Sequence, residues 1–306
     1  MNEDDSIVVI GSSNTDMVIL TSHFPSPGET ILGGEFLMNA GGKGANQAVA
    51  AARSGGRVTF VGKVGKDLFG KEAIRNIEHE GIDVSPVATD MYTASGIAQI
   101  TVVKNGENSI VVAPGANMIL SEADIDNANR QIKEAAILLM QLEVPLKTVV
   151  YAAKSGYKRG KKVILNPAPA AVLPDELFAC LYMITPNETE AERLTGVAVT
   201  NEKSAAEAAG ILKARGVEIV IITMGAKGVY VCSDEQKGMV AAPVVEAVDT
   251  TAAGDCFNGA LAAGLARGIG LDEAVRYAIQ AASISVTRIG AQASMPYRKE
   301  TESLLV

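Results

Sequence analysis

Tryptophan is absent from this 306-residue chain, and aromatic residues make up only 4% of it. A nucleoside base needs a flat surface to stack on, so a nucleoside acceptor is disfavoured. Histidine occurs only at His23 and His79. Neither lies beside a nucleophile motif, which argues against Ser–His or Cys–His catalysis. The three cysteines, Cys180, Cys232 and Cys256, are widely spaced. They make neither a disulfide framework nor a metal pattern, and a reducing compartment is expected. Cys256 reads as a small packing residue. Positive charge is in deficit, with a net charge of −8, which disfavours nucleic acid or an acidic membrane surface as the main partner. No apolar run reaches the roughly 20 residues that span a bilayer. The start, Met1-Asn2-Glu3-Asp4-Asp5, lacks the basic region of a signal peptide, so a cytoplasmic protein is expected.

What the chain does have is a regular alternation of short β-rich runs with longer alanine-rich ones. Strands are expected at 6–10, 58–61, 136–141, 162–165, 182–184 and 219–223. Helices are expected at 45–54, 70–79, 122–134, 188–194, 204–215, 255–267 and 272–287. The strands are nearly continuous apolar runs, the pattern of a parallel sheet covered on both faces. No linker, repeat or low-complexity tract divides residues 1–306, so one α/β domain with a doubly wound, mainly parallel sheet flanked by helices is expected. Two segments, about 15–40 and 92–115, carry strand-like stretches and turn signals without a helical period. They read as a small β-sheet lid, with Asn105-Gly106 as a hairpin turn.

Chemistry concentrates at Asp249-Thr250-Thr251-Ala252-Ala253-Gly254-Asp255, which runs into an apolar helix. Free N–H groups in a first helical turn, with no Cβ at Gly254, hold an oxyanion or phosphate. Asp255 beside them is placed to accept a proton from an attacking hydroxyl, which suggests phosphoryl transfer to an alcohol. Taken alone, the stretch reads equally well as an ordinary N-cap. Ala40-Gly41-Gly42-Lys43-Gly44-Ala45-Asn46 lets backbone approach a ligand closely, with Lys43 and Asn46 adding polar reach. Gly65 to Lys71 has the spacing of a phosphate loop, but Glu72 stands where Ser or Thr is required. Asn14 and Asp16, after the first strand, suit vicinal hydroxyls, since a carboxylate accepts from two at once. Glu143, Asn187 and Thr223 each follow a buried strand, where ligands bind in doubly wound sheets. Asn187-Glu188-Thr189-Glu190 also opens a helix with acids that the helix dipole alone would favour. Thr223-Met224-Gly225-Ala226-Lys227-Gly228 reads as a loop that passes a nucleotide, or as a simple turn.

Together these residues resemble the ribokinase-like sugar kinases over the full length. The stretch from Ala40 to Asn46, with Gly55 and Gly65, matches one family signature; Asp249 to Asp255, with Gly259-Ala260-Leu261, matches the other. The resemblance implies ATP-dependent phosphorylation of the 5-hydroxyl of D-ribose, with Asp255 as base and Ala252, Ala253 and Gly254 as anion hole. It implies that Asn14, Asp16, Gly42, Lys43, Asn46, Glu143 and Asp255 hold the sugar. It places the nucleotide along Asn187, Thr223, Met224, Gly225, Ala226, Lys227 and Gly228, beside Gly254 and Asp255. It also implies Mg²⁺ held by Glu190 through water. K⁺ is implied in a loop of Asp249, Thr251, Ser285, Arg288, Gly290 and Ser294, and a homodimer through the lid. Two departures stand out: Cys256 where many relatives have Thr, and Ile279-Gln280 where an adenine edge would lie. The competing readings are a sibling kinase for 2-deoxyribose, fructose or a nucleoside, and a non-catalytic sugar or nucleotide sensor on the same fold.

Overall fold

The computed structural model describes residues 5–32, 34–104 and 107–305. Its strands, in chain order, are β1 (Ser6–Ile10), β2 (Asn14–Thr21), β3 (Glu35–Gly41), β4 (Arg57–Val61), β5 (Lys63–Gly65), β6 (Ala88–Asp90) and β7 (Gly96–Val103). They continue as β8 (Asn108–Ala113), β9 (Ile137–Met140), β10 (Lys162–Leu165), β11 (Met183–Ile184), β12 (Ile219–Thr223), β13 (Val229–Cys232) and β14 (Lys237–Val240). The helices are α1 (Lys43–Arg53), α2 (Leu68–His79), α3 (Glu122–Asn127), α4 (Asn129–Glu134), α5 (Leu146–Lys158) and α6 (Asp175–Phe178). After them come α7 (Glu188–Thr195), α8 (Glu202–Ala214), α9 (Ala253–Ala266), α10 (Leu271–Ser285) and α11 (Arg298–Glu302).

Eight strands form the main sheet in the order β14-β13-β12-β11-β10-β9-β1-β4. All neighbours are parallel except the β12–β13 and β13–β14 pairs. Side chains alternate faces along a strand, and the two cores follow that alternation. Ile7, Val9, Ile137, Leu139, Ile219 and Ile221 pack with α1, α9 and α10. Val8, Ile10, Leu138, Met140, Val220 and Ile222 pack with residues of α3, α4, α5, α7 and α8. The expected doubly wound α/β sheet, helices on both faces, is therefore present.

One close approach fixes the geometry that matters later. A Cβ at Gly259 in α9 would lie 2.4 Å from the Gln47 carbonyl in α1, so glycine lets the two helix backbones touch. That contact, one turn along α9 from Asp255, brings Asn46 and Gln47 within hydrogen-bond reach of its carboxylate.

Strands β3, β2, β7 and β8 form a second sheet in that order, built from the two segments read as a β-sheet. The β7–β8 pair is antiparallel, with Val102 opposite Asn108; the turn at Asn105-Gly106 lies outside the described residues. One expectation is corrected, two elements are new, and the rejection of a phosphate loop at Gly65–Lys71 holds. The helix read over 122–134 breaks at Ala128, whose N–H bonds back to the Ile125 carbonyl at 3.1 Å. Helix α5 and the β13–β14 hairpin were not foreseen at all. The stretch from Gly65 to Lys71 starts α2, with Asp67 as cap accepting from Gly70 N at 2.8 Å.

Candidate active site

The carboxyl ends of β1, β9, β10, β11 and β12 form one edge, and the functional side chains gather there. The strand order reverses between β1 and β9, the place where open α/β sheets hold ligands. Two residues bridge that reversal: Ser12 Oγ donates to Glu143 Oε2 at 2.5 Å. The same oxygen accepts from Lys43 N at 3.0 Å. Gly42, at φ 87° in the left-handed region, turns the chain so that α1 begins against this carboxylate. Glu143 thus has one oxygen fixed and the other available to a ligand.

Asn14 is buried, and its Oδ1 accepts from Asn117 Nδ2 at 2.8 Å. Asn117 also accepts from Ser13 N (3.0 Å) and donates to Ser13 O (3.1 Å). With its oxygen occupied, Asn14 presents its N–H₂ donor. Asp16, two residues on, lies on the same face of β2. Its carboxyl is pushed up to about 6, by burial first and then by the charges of Glu143 and Asp255. Lys43 answers these charges. Burial alone would push its ammonium down, but Asp255, Glu143 and Glu190 hold it above its ordinary value.

Asp255, 5% exposed, sits in the first turn of α9. Oδ2 accepts from Asn46 Nδ2 at 3.0 Å and Oδ1 from Gln47 Nε2 at 2.9 Å. Burial drives its pKa up, against the opposing effects of Lys43, Gln47 and Asn46, and the net direction is upward. Asn46 is oriented in turn by Gln292, whose Nε2 donates to its Oδ1 at 3.2 Å. Ala252, at φ 59°, is the only non-glycine in the left-handed region among the described residues. Such strain collects where backbone is aimed at a ligand. The first intrahelical bond of α9 runs from Cys256 N to Ala252 O, so the N–H groups of Gly254 and Asp255 have no intrahelical acceptor. A Cβ at Gly254 would meet nothing within 4 Å. The glycine is not needed for packing; open space lies over it, as an anion cradle requires.

On the other flank, Asn187 and Glu190 form a reciprocal capping box. Asn187 Oδ1 accepts from Glu190 N (2.8 Å), and Glu190 Oε2 accepts from Asn187 N (2.9 Å). Both functional candidates therefore also cap α7, which leaves Asn187 Nδ2 and Glu190 Oε1 for ligands. Glu190 is 7% exposed, and burial raises its pKa despite the Asn187 backbone and Lys43. Thr223 bridges Asn187 between neighbouring strands. Beyond Thr223, Gly225–Lys227 forms a single 3₁₀ turn. Met224 faces the core, 2% exposed. Lys227 Nζ donates to the Thr200 carbonyl at 3.0 Å. Gly225, Ala226 and Lys227 are exposed, and Met224 between Thr223 and Gly225 is not.

Asp249 ties two segments together: Oδ1 accepts from Thr251 N and Oδ2 from Gly290 N, both at 2.9 Å. Partial burial raises its carboxyl, but these donors win and hold it below its ordinary value. Ser285 and Ser294 donate their hydroxyls to the Ala282 and Ala291 carbonyls, both at 2.8 Å. The Arg288 guanidinium is committed to Glu300 at 2.5 Å. Of these residues, carbonyls and one carboxylate remain as donors, a hard oxygen set. Cys256 is buried, its thiol pushed up to about 12 by burial, and it is the packing residue expected.

The chain matches the pfkB family carbohydrate kinases over residues 4–298. It is a member of that family. The protein is thus a sugar kinase, and its relatives bear out the fold. A ribokinase of Haemophilus influenzae is 48% identical over 300 residues, covering 98% of each chain. A deoxyribokinase of Salmonella typhi is 42% identical over 291 residues, covering 95% of each. The structure of Arabidopsis thaliana ribokinase complexed with ribose and ATP superposes with a TM-score of 0.92, at 33% identity and 98% coverage of both chains. Among the described residues no helix is long and apolar enough to cross a membrane.

Sequence reasoning missed several buried polar residues behind the site: Asn117, Gln47, Gln141, Asn166, Thr185 and Asn258. A signal existed for some. Gln47 interrupts an apolar helix, and Gln141 and Asn166 close buried strands.

Proposed function

We propose that this sugar kinase transfers the terminal phosphoryl group of ATP to the 5-hydroxyl of D-ribose, giving ribose 5-phosphate and ADP. One observation carries the reading. A buried carboxylate, Asp255, stands between an open first helical turn and a pocket of Asn14, Asp16, Lys43 and Glu143. Asp16 and Glu143 accept from the sugar hydroxyls, while Asn14, Asn46 and Lys43 donate to them. Gly42 N–H lies in the same loop. Asp255 orients the 5-hydroxyl and takes its proton as the O–P bond forms. In a loose transition state that transfer is late, so positioning and charge stabilisation supply most of the rate. The N–H groups around Ala252, Ala253 and Gly254 receive the charge that grows on the phosphoryl oxygens.

The nucleotide lies along Asn187, Thr223 and the backbone of residues 224–228. Glu190, with one oxygen free and its carboxyl raised by burial, suits a water-held Mg²⁺, which would neutralise phosphate charge. The oxygen set around Asp249, with carbonyls of Thr251, Ser285, Arg288, Gly290 and Ser294, suits K⁺ beside the anion hole. The small sheet acts as a lid over the sugar, excludes water and pairs with a second subunit's lid to form a homodimer. Its exposed apolar side chains, among them Phe36, Met38 and Val111, support that pairing. The sugar phosphate product fits a cytoplasmic enzyme.

The deoxyribokinase relative gives 2-deoxyribose a place as a second acceptor. ADP release with Mg·ATP and K⁺ separates the readings, using D-ribose, 2-deoxyribose, fructose, adenosine or no acceptor. Fastest turnover with D-ribose is expected. Preference for another sugar would keep the kinase chemistry and reassign Asn14, Asp16 and Glu143; ATP binding without turnover on any acceptor would favour a sensor.

A further inference from the structure

Behind Asp255 runs a chain of buried amides that the reaction outlined above does not use. Gln47 is 0% exposed in α1. Its Nε2 donates twice, at 2.9 Å to Asp255 Oδ1 and at 3.0 Å to Asn166 Oδ1. Its Oε1 accepts from Gln141 Nε2 at 2.6 Å. Both N–H bonds of the amide are therefore used, and so is its oxygen.

The far end of the chain decides which way each amide faces. Asn166 Nδ2 donates at 3.1 Å to the main-chain carbonyl of Thr185, and a carbonyl can only accept. Asn166 must then turn its oxygen toward Gln47, and Gln47 must answer with its NH₂ group. The second N–H of that group falls on Asp255. A fixed backbone carbonyl on the sheet edge thus sets the sense of the chain up to the carboxylate. Thr185 has a second arm. Its Oγ1 donates to Asn258 Oδ1 at 2.6 Å, and Asn258 Nδ2 donates to the Gly254 carbonyl at 2.8 Å. Base and anion cradle are therefore suspended from the same residue.

We propose that Gln47 is a positioning residue for the base: its N–H, its direction imposed by Asn166 and the Thr185 carbonyl, holds Asp255 ionised and aimed at the acceptor hydroxyl. A donor on a buried carboxylate stabilises the charged form against the burial that opposes it. Asn46, on the other carboxylate oxygen, is proposed above as a sugar donor and would change partners when sugar enters. Gln47 has no such choice, so its bond is the permanent one. The inference rests on Asp255 being the base, and the test separates the two.

Gln47→Met removes the donor at similar volume. Its kcat and both KM values are measured from about pH 5 to about pH 9 beside Asp255→Asn. For Gln47→Met, kcat at neutral pH falls about 10- to 100-fold while both KM values stay within about threefold. Lys43 of α1, Glu143 after β9 and Asp16 of β2 also bear on Asp255. Gln47→Met leaves all three in place, so the acid limb of kcat moves up by about one pH unit because the ionised base has lost a donor. Gln47→Glu, the same shape with a second carboxylate, moves the limb further in the same direction. A residue that merely fills space would leave the limb where it is. An unmoved limb in folded Gln47→Met therefore overturns the inference and leaves the base assignment standing. Turnover above about a tenth of normal in Asp255→Asn would overturn both. If Gln47→Met does not fold, Asn166→Ala serves instead, since it keeps Gln47 but frees its amide to turn. An upward limb there supports the inference, and an unmoved one overturns it.

Discussion

In the eight-stranded sheet, Val8 and Ile10 enter one core and Ile7 and Val9 the other, none more than 1% exposed. In the four-stranded sheet all six residues of β8 are exposed, including Ile110, Val111 and Val112. Both sheets are rich in β-branched residues, so the difference is not one of strand propensity. It lies in what covers them: helices on both faces of the first, and neither face of β8 in the second. The covered sheet carries Asp255, the anion cradle, Asn187 and Thr223 at its edge, where α7, α9 and β12 run out of the two cores. The uncovered sheet carries Asn14 and Asp16. A group that must act within a few tenths of an ångström is built on the closed core. The groups that must first admit a sugar stand at the buried start of β2, in a sheet whose far strand, β8, the chain leaves uncovered.

Substitutions on the two sides should therefore fail differently, and the largest failure belongs to the core side. Asp255→Asn keeps the shape of the side chain but cannot take a proton. Turnover should fall about a thousandfold or more while ATP binding stays within about threefold. Steady-state kinetics with a separate nucleotide titration checks this; comparable losses in both would mean that the substitution had damaged the cleft rather than the chemistry.

On the open side the loss should appear in sugar affinity and depend on pH. Asp16 accepts from hydroxyls well only when ionised, and its carboxyl stands at about 6 because burial, Glu143 and Asp255 oppose its charge. The folded value is raised, so the ionised form is complete above about pH 7 and is lost as pH falls through 6. Sugar affinity should be flat at high pH and about tenfold weaker near pH 5. Asp16→Asn should bind weakly and without that slope. A wild-type affinity that is level across the range would remove Asp16 from the sugar's partners.

The covered sheet was also the more legible in the sequence. Strands β1, β10 and β12 coincide with their apolar runs because burial on both faces leaves no other pattern. The failures have local causes. Nothing at Ala128, a strong helix former, marks the break between α3 and α4. Helix α5 begins after Pro145 with no side-chain cap, and its β-branched run Thr148-Val149-Val150 disguises it. In the site, Asp255, Gly254, Asp16 and Asn14 announced themselves through glycines and turns nearby. Gln47, Asn166 and Thr185 gave at most a polar residue in or after an apolar run, because their partners are set by which helix meets which strand end. Gln47 and Asn166 are 119 residues apart in the chain. Lys227 is the converse case: the loop and the resemblance placed it along the nucleotide, and only the fold reveals the Thr200 carbonyl as the partner of its ammonium.

The smallest expected effect tests whether the open sheet is finished by a second copy. Adjacent β8 residues point to opposite faces, and Ile110 and Val111 are 53% and 66% exposed. A double substitution, Ile110→Lys with Val111→Glu, therefore places a charge on each face without touching the main core. Sedimentation should show the wild-type chain as a dimer and this variant as a monomer of unchanged secondary structure. Asp16 sits two strands from β8, across β7, so loosening the sheet should raise the sugar KM several-fold and leave the ATP KM alone. An equal rise in both would mean that the small sheet stiffens the whole cleft. A variant that stays dimeric would place the partner contact on another surface, and the exposed side chains of β8 would then be covered by the closing of the lid itself.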